Sequence, residues 1–559
     1  MCFMEDILEL AKRRGFLWPS FEIYGGASGF YDYGPLGAAL KNRVENLWRR
    51  FFVIGEGYME ISSPNLGVSE IFVASGHVGH FADPVVSCSE CGESFRADHL
   101  LKESGVETDG MSYEEIESGL KDKGVICLSC GGELSKISTF NLMFKTAIGA
   151  GDRTGYLRPE TAQNIFILFN RLYEFYRKKL PFGVAQLGRA YRNEISPRQG
   201  LLRLREFSQA EIEVFVDPRS KETHPRFSET AEIKLRLVPG EGEEVELTAL
   251  DAVEKGIIAH QFLAYHVVRT YQYLVGVGIP SDKIRFRQHK KTEMAHYACD
   301  CWDAEVRTER YGWVEVVGIA DRTDYDLKSH ITESGVDMSA FVRFDAAQVV
   351  EKTILAPHMK KLGPVFRKDA GLVGELISNS DPTGLKGDGS LDITFNGESV
   401  NVKPEMFEVK TVVERVEGEK IVPHVIEPSF GIDRIIYCVL ESAHREEERS
   451  GEMRTVLSLK PVVAPYDVAV FSLVSKDGLD EKAVEVFEQL KEKGLLVLFD
   501  TSGTIGRRYA RSDEIGVPKA ITVDFRTLDD STVTIRDRDT MKQERVKIDE
   551  LAQVLTKTL

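Results

Sequence analysis

The first strong pattern of hydrophobic and polar positions lies in residues 34–64, GPLGAALKNRVENLWRRFFVIGEGYMEISSP. Its apolar residues recur at intervals of three and four, which is the spacing of one face of an α-helix. They are Leu36, Leu40, Val44, Leu47, Trp48 and Phe51. A strand-like segment follows and ends at Pro64, which has no backbone N–H for a sheet. The pattern predicts a long amphipathic helix followed by a strand.

A regular alternation of strand-like and helix-like segments begins near residue 464. The segments YDVAVFSLV, LLVLFDT, KAITVD and STVTIRD are rich in β-branched and aromatic residues, as strands are. The segments DEKAVEVFEQLKEKG, GRRYARSDEIG and IDELAQVLTKTL are typical of helices. Strands alternating with helices of this length predict a compact α/β domain around a mixed sheet.

The middle of the chain has a less regular pattern. It predicts an amphipathic helix over residues 161–176, an apolar helix within residues 256–278, and strands in KIRFRQH and GWVEVVGIADR. We divide the chain into residues 1–83, a cysteine-bearing insertion over 84–150, a main body over 151–460, and a C-terminal domain over 464–559. Two further insertions are expected near 217–284 and 325–422. The overall class predicted is α+β.

Composition limits the possible partners. The chain has 559 residues, of which 42% are hydrophobic and 28% charged, as expected of a soluble multidomain protein. It has no apolar run of 18 residues, and the charged N-terminal segment lacks a signal core, so we expect a cytoplasmic protein without a membrane partner. The net charge of -17 argues mildly against nucleic acid, and DNA is not expected.

Basic residues nevertheless cluster near the C-terminus. They are Arg507, Arg508, Arg511, Arg536 and Arg538. A local basic surface can bind RNA even on an acidic chain. The alternative is a solvated charged face without a ligand.

Residues 188–216 predict a hairpin with chemistry on one face. Arg192 and Glu194 lie on the first predicted strand, residues 197–200 form the turn, and Arg203, Arg205 and Phe207 return on the second. Arginine matches phosphate oxygens, and a phenyl ring can stack on a purine. The pattern therefore suits ATP binding, while a surface hairpin with cross-strand ion pairs is the alternative.

The cysteines form a separate pattern. Cys88 and Cys91 form one C-x-x-C pair, and Cys127 and Cys130 form another. Two such pairs supply four thiolates for a structural, tetrahedral Zn²⁺. Reduced cysteines or a disulfide are the alternatives. Cys299 and Cys301 are too close in sequence to suit one ion together, and we interpret them as buried thiols.

With these motifs the chain resembles the class II aminoacyl-tRNA synthetases. Their first motif matches the helix and strand ending at Pro64, and their second matches the hairpin at residues 188–216. Their third motif matches Glu427–Glu441, EPSFGIDRIIYCVLE, where Gly431 and Arg434 open an apolar helix. The resemblance implies a catalytic domain with an antiparallel sheet, interrupted by insertions, and a C-terminal α/β anticodon-binding domain.

Three further segments resemble the glycyl-tRNA synthetases, in their dimeric, archaeal and eukaryotic-like form. They are YGGASGFYDYGPLG, LRPETAQNIF and ADRTDYDL, at residues 24–37, 157–166 and 320–327. One departure is Asn164, where relatives usually have Gly. The tetrapeptide HVGH at residues 77–80 is similar to a class I synthetase motif, but no KMSKS-like loop follows, and no P-loop is present.

The resemblance implies an enzyme that ligates glycine to tRNA(Gly) through a glycyl-adenylate, releasing AMP and pyrophosphate. Its expected partners are glycine, tRNA(Gly) and a second copy of the chain, and its cofactors are ATP with Mg²⁺ and the structural Zn²⁺. The expected catalytic residues are Arg192 at the α-phosphate, Glu194 towards the adenine, and Arg434 at the far phosphates. Glu315 is the expected Mg²⁺ ligand.

The residues implied in ATP binding are Arg192, Asn193, Glu194, Leu202, Arg203, Leu204, Arg205, Glu206, Phe207, Glu315, Val316 and Arg434. Those implied in glycine binding are Arg96, Glu160, Phe207, Ser208, Gln209, Ala210, Glu211, Arg322, Glu427, Pro428, Ser429, Phe430 and Gly431.

Among the glycine-binding set, Glu160 and Glu211 would approach the ammonium, while Glu427 and Ser429 would crowd the α-carbon. Three other functions stay open at this point: a threonyl, prolyl or seryl enzyme, a synthetase-like protein without catalysis, and a plain RNA-binding protein.

Overall fold

The computed structural model describes residues 7–108, 110–197, 200–290, 298–395, 397–449 and 451–556. The chain forms two compact units, Met1–Met338 with Val422–Leu559, and Ser339–Ile421. The larger unit contains two main sheets, and each has its own hydrophobic core.

A nine-stranded sheet forms the centre of the larger unit. Its strands, in spatial order, are Val245–Thr248, Lys234–Val238, Ile284–Gln288, Asp300–Thr308, Gly312–Thr323, His424–Gly431, Glu206–Val216, Phe182–Tyr191 and Met59–Ile61. Neighbours are antiparallel except at two places, where Lys234–Val238 meets Ile284–Gln288 and where Phe182–Tyr191 meets Met59–Ile61. The largely antiparallel sheet predicted from the resemblance is confirmed.

The helix predicted before Pro64 is Pro35–Trp48, with proline in its first turn, and it continues as a π-helical turn over Arg49–Ile54. Its apolar face packs on the sheet, where the ring centroid of Phe52 lies 5.0 Å from that of Phe430. The apolar helix is Gln261–Val277, and it packs against the sheet and against the helix Pro35–Trp48.

Residues 217–284, which we expected to form an insertion, pack as part of the core of the larger unit. Their two strands, Lys234–Val238 and Val245–Thr248, extend one edge of the central sheet, and their long helix is part of the same core. A small helix, Ala249–Glu254, connects the two parts.

The prediction of a single helix over residues 161–176 was wrong. The structure has two short helices, Gln163–Phe166 and Phe169–Phe175. Between them the chain tightens, because the Leu168 N–H donates to the Ile165 carbonyl three residues back, as in a 3₁₀ turn.

The larger unit also contains several smaller elements. The helices are Ile7–Arg14, Ser69–Ala74, His77–His80, Ala97–Glu103, Tyr113–Asp122 and Tyr325–Ser334. Two three-stranded sheets are formed by Ser94–Arg96, Ala82–Ser87 and Ser138–Asn141, and by Leu66–Val68, Arg153–Leu157 and Lys145–Ile148. Two-stranded sheets pair Leu17–Pro19 with Tyr31–Tyr33 and His444–Arg449 with Glu452–Leu457. The third-motif helix is Ile432–Ala443.

The C-terminal domain has the predicted mixed sheet. Its strands, in spatial order, are Val497–Phe499, Val468–Ser472, Lys519–Val523, Thr532–Asp537 and Gln543–Lys547. The first three are parallel and the last two antiparallel, and the last strand was not predicted. Its helices are Leu479–Glu492, Ile505–Glu514, Phe525–Asp530 and Leu551–Thr556.

The basic residues of this domain do not form a solvated face. Arg508, Arg536 and Arg538 are buried. Arg536 donates to both carboxylate oxygens of Asp513 at 2.8 and 2.9 Å, and Arg538 donates to the carbonyls of Gly516 and Leu459, both at 2.8 Å. Buried guanidiniums need such partners, so these arginines hold the domain together. Of the five, Arg507 is exposed.

The second unit, Ser339–Ile421, has its own small core around Leu355, Val373 and Ile393. Ala340–Pro357 pairs with Phe407–Ile421 in a long two-stranded antiparallel sheet, and Leu391–Phe395 forms a hairpin with Glu398–Val402. Its helices are Met359–Phe366 and Ala370–Ser378. Across the described parts of both units, no helix has the length and apolar character needed to span a membrane.

Candidate functional site

The hairpin of the second motif is shorter than predicted. Its strands end at Tyr191 and begin again at Glu206, so Arg192, Glu194 and Arg203 lie in the connection, and of the predicted residues Phe207 is on a strand. Arg192 N–H still donates to the Arg205 carbonyl at 2.9 Å. The ladder stops there because Arg205 N–H donates instead to the Gly29 carbonyl, at 2.9 Å. Arg198 and Gln199, in the predicted turn, lie outside the described residues.

The connection, the central strands and the start of the third-motif helix enclose a cavity of about 200 Å³. Nine of the twelve residues expected to bind ATP line it: Arg192, Glu194, Leu202, Arg203, Leu204, Phe207, Glu315, Val316 and Arg434. The expected glycine-binding residues Ser208, Gln209, Ser429 and Gly431 also line it. Asn193, Arg205 and Glu206 do not, and Arg205 instead donates to the Ser28 carbonyl at 2.8 Å.

Arg192 and Arg434 both line the cavity. The Arg192 guanidinium lies 5.3 Å from the ring centroids of both Phe81 and Phe207. Arg434 donates to the carbonyls of Leu202 at 3.1 Å and Glu315 at 2.9 Å. These contacts hold both cations at the wall, where they can meet the oxygens of a phosphate chain.

Asp433 completes this wall and was not predicted. Its carboxylate accepts from the Ser208 N–H and the Tyr33 hydroxyl, and the residue lines the cavity. The sequence could have indicated Asp433 by its place beside Arg434 on the first turn of a buried helix, since a charged residue there needs a specific partner.

Glu211 lies at the centre of a dense hydrogen-bond network. It faces Ser429 across neighbouring strands, and its Oε1 accepts from the Ser429 hydroxyl at 2.8 Å and from Gln209 Nε2 at 2.7 Å. Its Oε2 accepts from the backbone N–H and the hydroxyl of Thr161, both at 2.6 Å. Burial raises the pKa of Glu211, and the nearby Glu160 raises it further.

Glu160 has different surroundings. Its Oε1 accepts from Gln163 at 2.9 Å, and its Oε2 lies 3.5 Å from His77 Nε2. Burial acts to raise the pKa of Glu160, but the His77 imidazole and the Arg322 guanidinium outweigh it and lower that pKa. His77 belongs to the HVGH tetrapeptide, so this segment contacts the site through the Glu160 carboxylate. The tetrapeptide resembles a class I motif in sequence, but it does not perform the chemistry of that motif here.

Arg322 and Glu427 are buried and hydrogen-bonded to each other beside these carboxylates. Arg322 donates to Glu427 Oε2 at 2.9 Å and to both oxygens of Asp326 at 2.8 and 2.9 Å. Burial raises the pKa of Glu427 to about 8, although Arg322 acts in the opposite direction.

A further carboxylate, Glu213, was missed. It is fully buried, and within the described structure neither of its carboxylate oxygens has a hydrogen-bond partner. Burial raises its pKa well above the usual range, and the charge of Glu427 adds to this effect. Glu213 lies two residues after Glu211 on one strand, and this alternation, which places both side chains on one face, was the available signal.

Three expected glycine-binding residues face away from the site. Ala210 and Phe430 belong to the hydrophobic core, and Pro428 alternates with Glu427 and Ser429 on its strand. Successive side chains of a strand point to opposite faces, so these three can shape the site only through the backbone.

Arg96 also lies apart from the cavity. It pairs with Asp83 at 2.8 Å and with Asp98 at 2.6 Å, and it lines a neighbouring cavity of about 150 Å³ together with His99. Arg203 lines both cavities, so the two are neighbours.

The four cysteines of the two C-x-x-C pairs converge. Cys88, Cys91, Cys127 and Cys130 place their sulfurs within 4.8 Å of one another, with Cys88 and Cys130 at 3.4 Å and Cys91 and Cys127 at 3.6 Å. A tetrahedral zinc with bonds of about 2.3 Å requires sulfurs about 3.8 Å apart. Backbone N–H groups, foremost that of Cys91, lower the pKa of Cys88 to about 6. The donor set and its spacing therefore fit zinc.

The second cysteine group differs from its prediction. Cys299 is exposed and Cys301 is half-buried, so the interpretation of both as buried thiols was wrong. Cys299 precedes the strand Asp300–Thr308 and donates to Asp321 Oδ2 at 3.0 Å.

Comparison with family models identifies two regions. Residues 144–297 match the class II tRNA synthetase core domain of the G, H, P, S and T enzymes, and residues 467–558 match the anticodon-binding domain.

Two solved structures show the same fold. The chain aligns over 98% of its length with 75% of a Giardia lamblia prolyl-tRNA synthetase in complex with prolyl-adenylate, at 13% identity and a TM-score of 0.52. It aligns over 99% of its length with 98% of a chain described as the RNA-binding domain of threonyl-tRNA synthetase from Cryptosporidium parvum, at 16% identity and a TM-score of 0.53.

Curated relatives are similar over nearly the whole chain. A glycine–tRNA ligase of Methanothrix thermoacetophila is 54% identical, with 99% of this chain and 96% of that protein aligned. A glycine–tRNA ligase of Methanocaldococcus jannaschii is 50% identical, with 99% of each aligned. The chain therefore belongs to the glycine–tRNA ligase family of class II aminoacyl-tRNA synthetases.

Proposed function

We propose that this protein ligates glycine to tRNA(Gly) in two steps, through a glycyl-adenylate. The observation that carries the proposal is the cross-strand pair of Glu211 and Ser429, which adjoins the cavity between Arg192 and Arg434. A site for a small ammonium compound thus lies directly beside a site for a phosphate chain. Family membership supplies the amino acid and the tRNA.

In the first step, a carboxylate oxygen of glycine attacks the α-phosphorus of ATP. The bond to the bridging oxygen of the β-phosphate breaks, and pyrophosphate leaves with the electron pair. In the second step, a hydroxyl of the terminal tRNA ribose attacks the acyl carbon, the hydroxyl proton is lost, and AMP leaves. Neither step forms a covalent bond to the enzyme, so catalysis depends on positioning and on stabilising charge.

The ATP residues have distinct roles in this proposal. Arg192 contacts the α-phosphate, Phe207 packs under the adenine, and Arg434 holds the distal phosphates. Arg192 and Phe207 are already in contact, so the cation and the ring are preorganised. Glu315, beside Arg434 at 3.4 Å, is placed to hold a Mg²⁺ ion brought in with ATP, which would neutralise phosphate charge.

The residues that bind the substrate glycine act by charge and by excluding larger side chains. Glu160 and Glu211 bind the ammonium, while Ser429 and Glu427 occupy the space that a side chain would need. Every competing amino acid is larger than glycine, so a closed wall excludes all of them and no editing site is required.

Four further features belong to the proposal. The C-terminal domain contacts the anticodon arm of tRNA(Gly). The chain forms a homodimer through the first-motif helix and the strand near Pro64. Zn²⁺ bound by Cys88, Cys91, Cys127 and Cys130 closes the inserted subdomain, and the protein acts in the cytoplasm.

Pyrophosphate exchange with each amino acid, in the absence of tRNA, tests the first step. Exchange is expected with glycine and not with alanine, serine, threonine or proline. Exchange with threonine or proline would instead indicate a threonyl or prolyl enzyme, like the two structural neighbours. Exchange with no amino acid would indicate a protein without catalysis. Charging of tRNA(Gly) transcript by the same preparation tests the second step.

A further inference from the structure

A second group of potential metal ligands lies one strand away from the cavity. His289 N–H donates to the Cys301 carbonyl at 2.9 Å, which extends the pairing of Gln288 with Trp302 by one residue. His289 therefore lies opposite Cys301. Asp303 is two residues further along the same strand, so all three side chains are on one face of the sheet. One ligand atom from each lies within 4.8 Å of the other two.

This group borders the cavity through a glycine. Asp303 is the strand partner of Gly318, and Gly318 lines the cavity. A β-carbon at position 318 would lie 4.0 Å from Asp303 Oδ1. Since glycine has no side chain, nothing from residue 318 covers the Asp303 carboxylate on that side.

Imidazole, thiolate and carboxylate are the ligands that zinc-class cations prefer. A tetrahedral zinc with bonds of about 2.0–2.3 Å places its ligand atoms about 3.3–3.8 Å apart. His289 Nε2 and Asp303 Oδ2 are 2.8 Å apart, and the sulfur lies within the 4.8 Å limit, so small side-chain movements reach that geometry. We propose that His289, Cys301 and Asp303 bind a zinc-class divalent cation, with a fourth coordination position towards the cavity.

The surrounding charges are compatible with a cation. Arg287 donates to Asp303 Oδ2 at 2.9 Å, and this contact would have to be released. Arg287 also donates to Glu305 Oε1 at 3.2 Å, so it keeps a carboxylate partner when Asp303 turns to the metal. Burial raises the pKa of the Cys301 thiol, and metal binding must displace that proton.

Cobalt titration of the metal-free, full-length protein tests the proposal. Co²⁺ is the probe because it reports tetrahedral geometry and thiolate ligation by visible and near-ultraviolet absorption. The wild-type chain is expected to bind two equivalents, one at the four cysteines near residue 88 and one at His289, Cys301 and Asp303. Cys301→Ser and Asp303→Asn are each expected to bind one.

Cys299→Ser is the matched control, because it removes a thiol two residues away that is outside the group, and it should still bind two equivalents. The absorption of the four-thiolate site, retained in every variant, shows that the chain is folded. A Cys301→Ser protein that binds as many equivalents as wild type would overturn the proposal. The titration contains no substrate, so its result is independent of whether the protein activates glycine.

Discussion

The Ser429 hydroxyl and the Glu211 carboxylate are bound to each other at 2.8 Å across two neighbouring strands. Gln209 Nε2 bonds to both groups, at 2.9 Å to the serine and 2.7 Å to the carboxylate. The serine therefore orients the carboxylate as well as occupying the space beside it. This links the two proposed functions of the pocket, ammonium binding and exclusion of side chains.

Replacement of Ser429 by alanine should weaken glycine binding. The change removes a donor from a buried carboxylate, and a hydrogen bond to a charged group is worth about 1.5–3 kcal/mol. The KM for glycine in pyrophosphate exchange should rise about tenfold to a hundredfold. Ser378→Ala is the matched control, since that hydroxyl bonds within a helix of the second unit. An unchanged KM for glycine in Ser429→Ala would remove Ser429 from the site.

Replacement of Arg434 by alanine should slow adenylate formation. Its two backbone contacts hold the guanidinium at the cavity wall, and the loss of one preorganised charge contact in an active site costs about 10²–10³ in rate. The measurement is kcat/KM for ATP in glycine-dependent exchange. Arg526→Ala should behave as wild type, because Arg526 is exposed and pairs with Asp530 in the C-terminal domain. A similar loss in both variants would indicate a general effect on folding.

Glu427 should make stability depend on pH. Burial raises its pKa to about 8, so the folded chain holds a proton that the unfolded chain loses near pH 4.5. This contribution is complete below the unfolded pKa and is lost as the pH rises through the folded pKa. The Tm of the wild-type protein should therefore fall relative to that of Glu427→Gln between pH 6 and pH 9. Parallel Tm curves over that range would show that Glu427 is ionised throughout.

Arg536 should be essential to the stability of the C-terminal domain. Its side chain is 8% exposed and that of Asp513 is 3% exposed, so Arg536→Ala removes the Arg536 cation from a buried carboxylate. Removal of one partner from a buried pair costs about 3–5 kcal/mol. Thermal melting should show a destabilised transition, whereas Arg507→Ala, at an exposed neighbouring arginine, should melt as wild type. Equal melting of the two variants would contradict the buried-pair interpretation.

Removal of zinc should loosen the cysteine-bearing subdomain. The four cysteines connect the segments around residues 88 and 130, and their region otherwise has only a small core around Phe95, Leu101 and Ile116. Chelation should increase hydrogen exchange within residues 88–134, while the C-terminal strands 468–472 and 519–523 stay protected. Metal analysis of Cys127→Ser should show one zinc fewer than wild type. Unchanged exchange after full chelation would rule out a structural metal there.

Several elements were predictable because their patterns are local. The helix before Pro64 and the alternation after residue 464 depend on hydrophobic periodicity, which a chain carries whatever it packs against. The convergence of the four cysteines followed from ligand type and spacing. The prediction of one long helix over residues 161–176 was wrong for the opposite reason. Hydrophobic periodicity does not detect the tight turn at Leu168.

The partners of charged residues were not predictable in the same way. Arg508, Arg536 and Arg538 look like an exposed basic patch in sequence, yet they are buried against carbonyls and carboxylates that come from distant segments. The surroundings of Glu213 were not predictable either, because its burial, and the absence of a hydrogen-bond partner among the described residues, depend on the strands on either side.

The amino-acid sequence by itself determined the family, the α+β class and most of the residues that line the cavity, because these depend on local spacing and on motifs with fixed residue types. Only the tertiary structure decided which carboxylates share the site, that His77 lowers the pKa of Glu160 while burial raises that of Glu427, and that Arg96 lies apart. The physical reason is that burial and charge interaction depend on distances between residues far apart in the chain. Those distances are set when the strands pair.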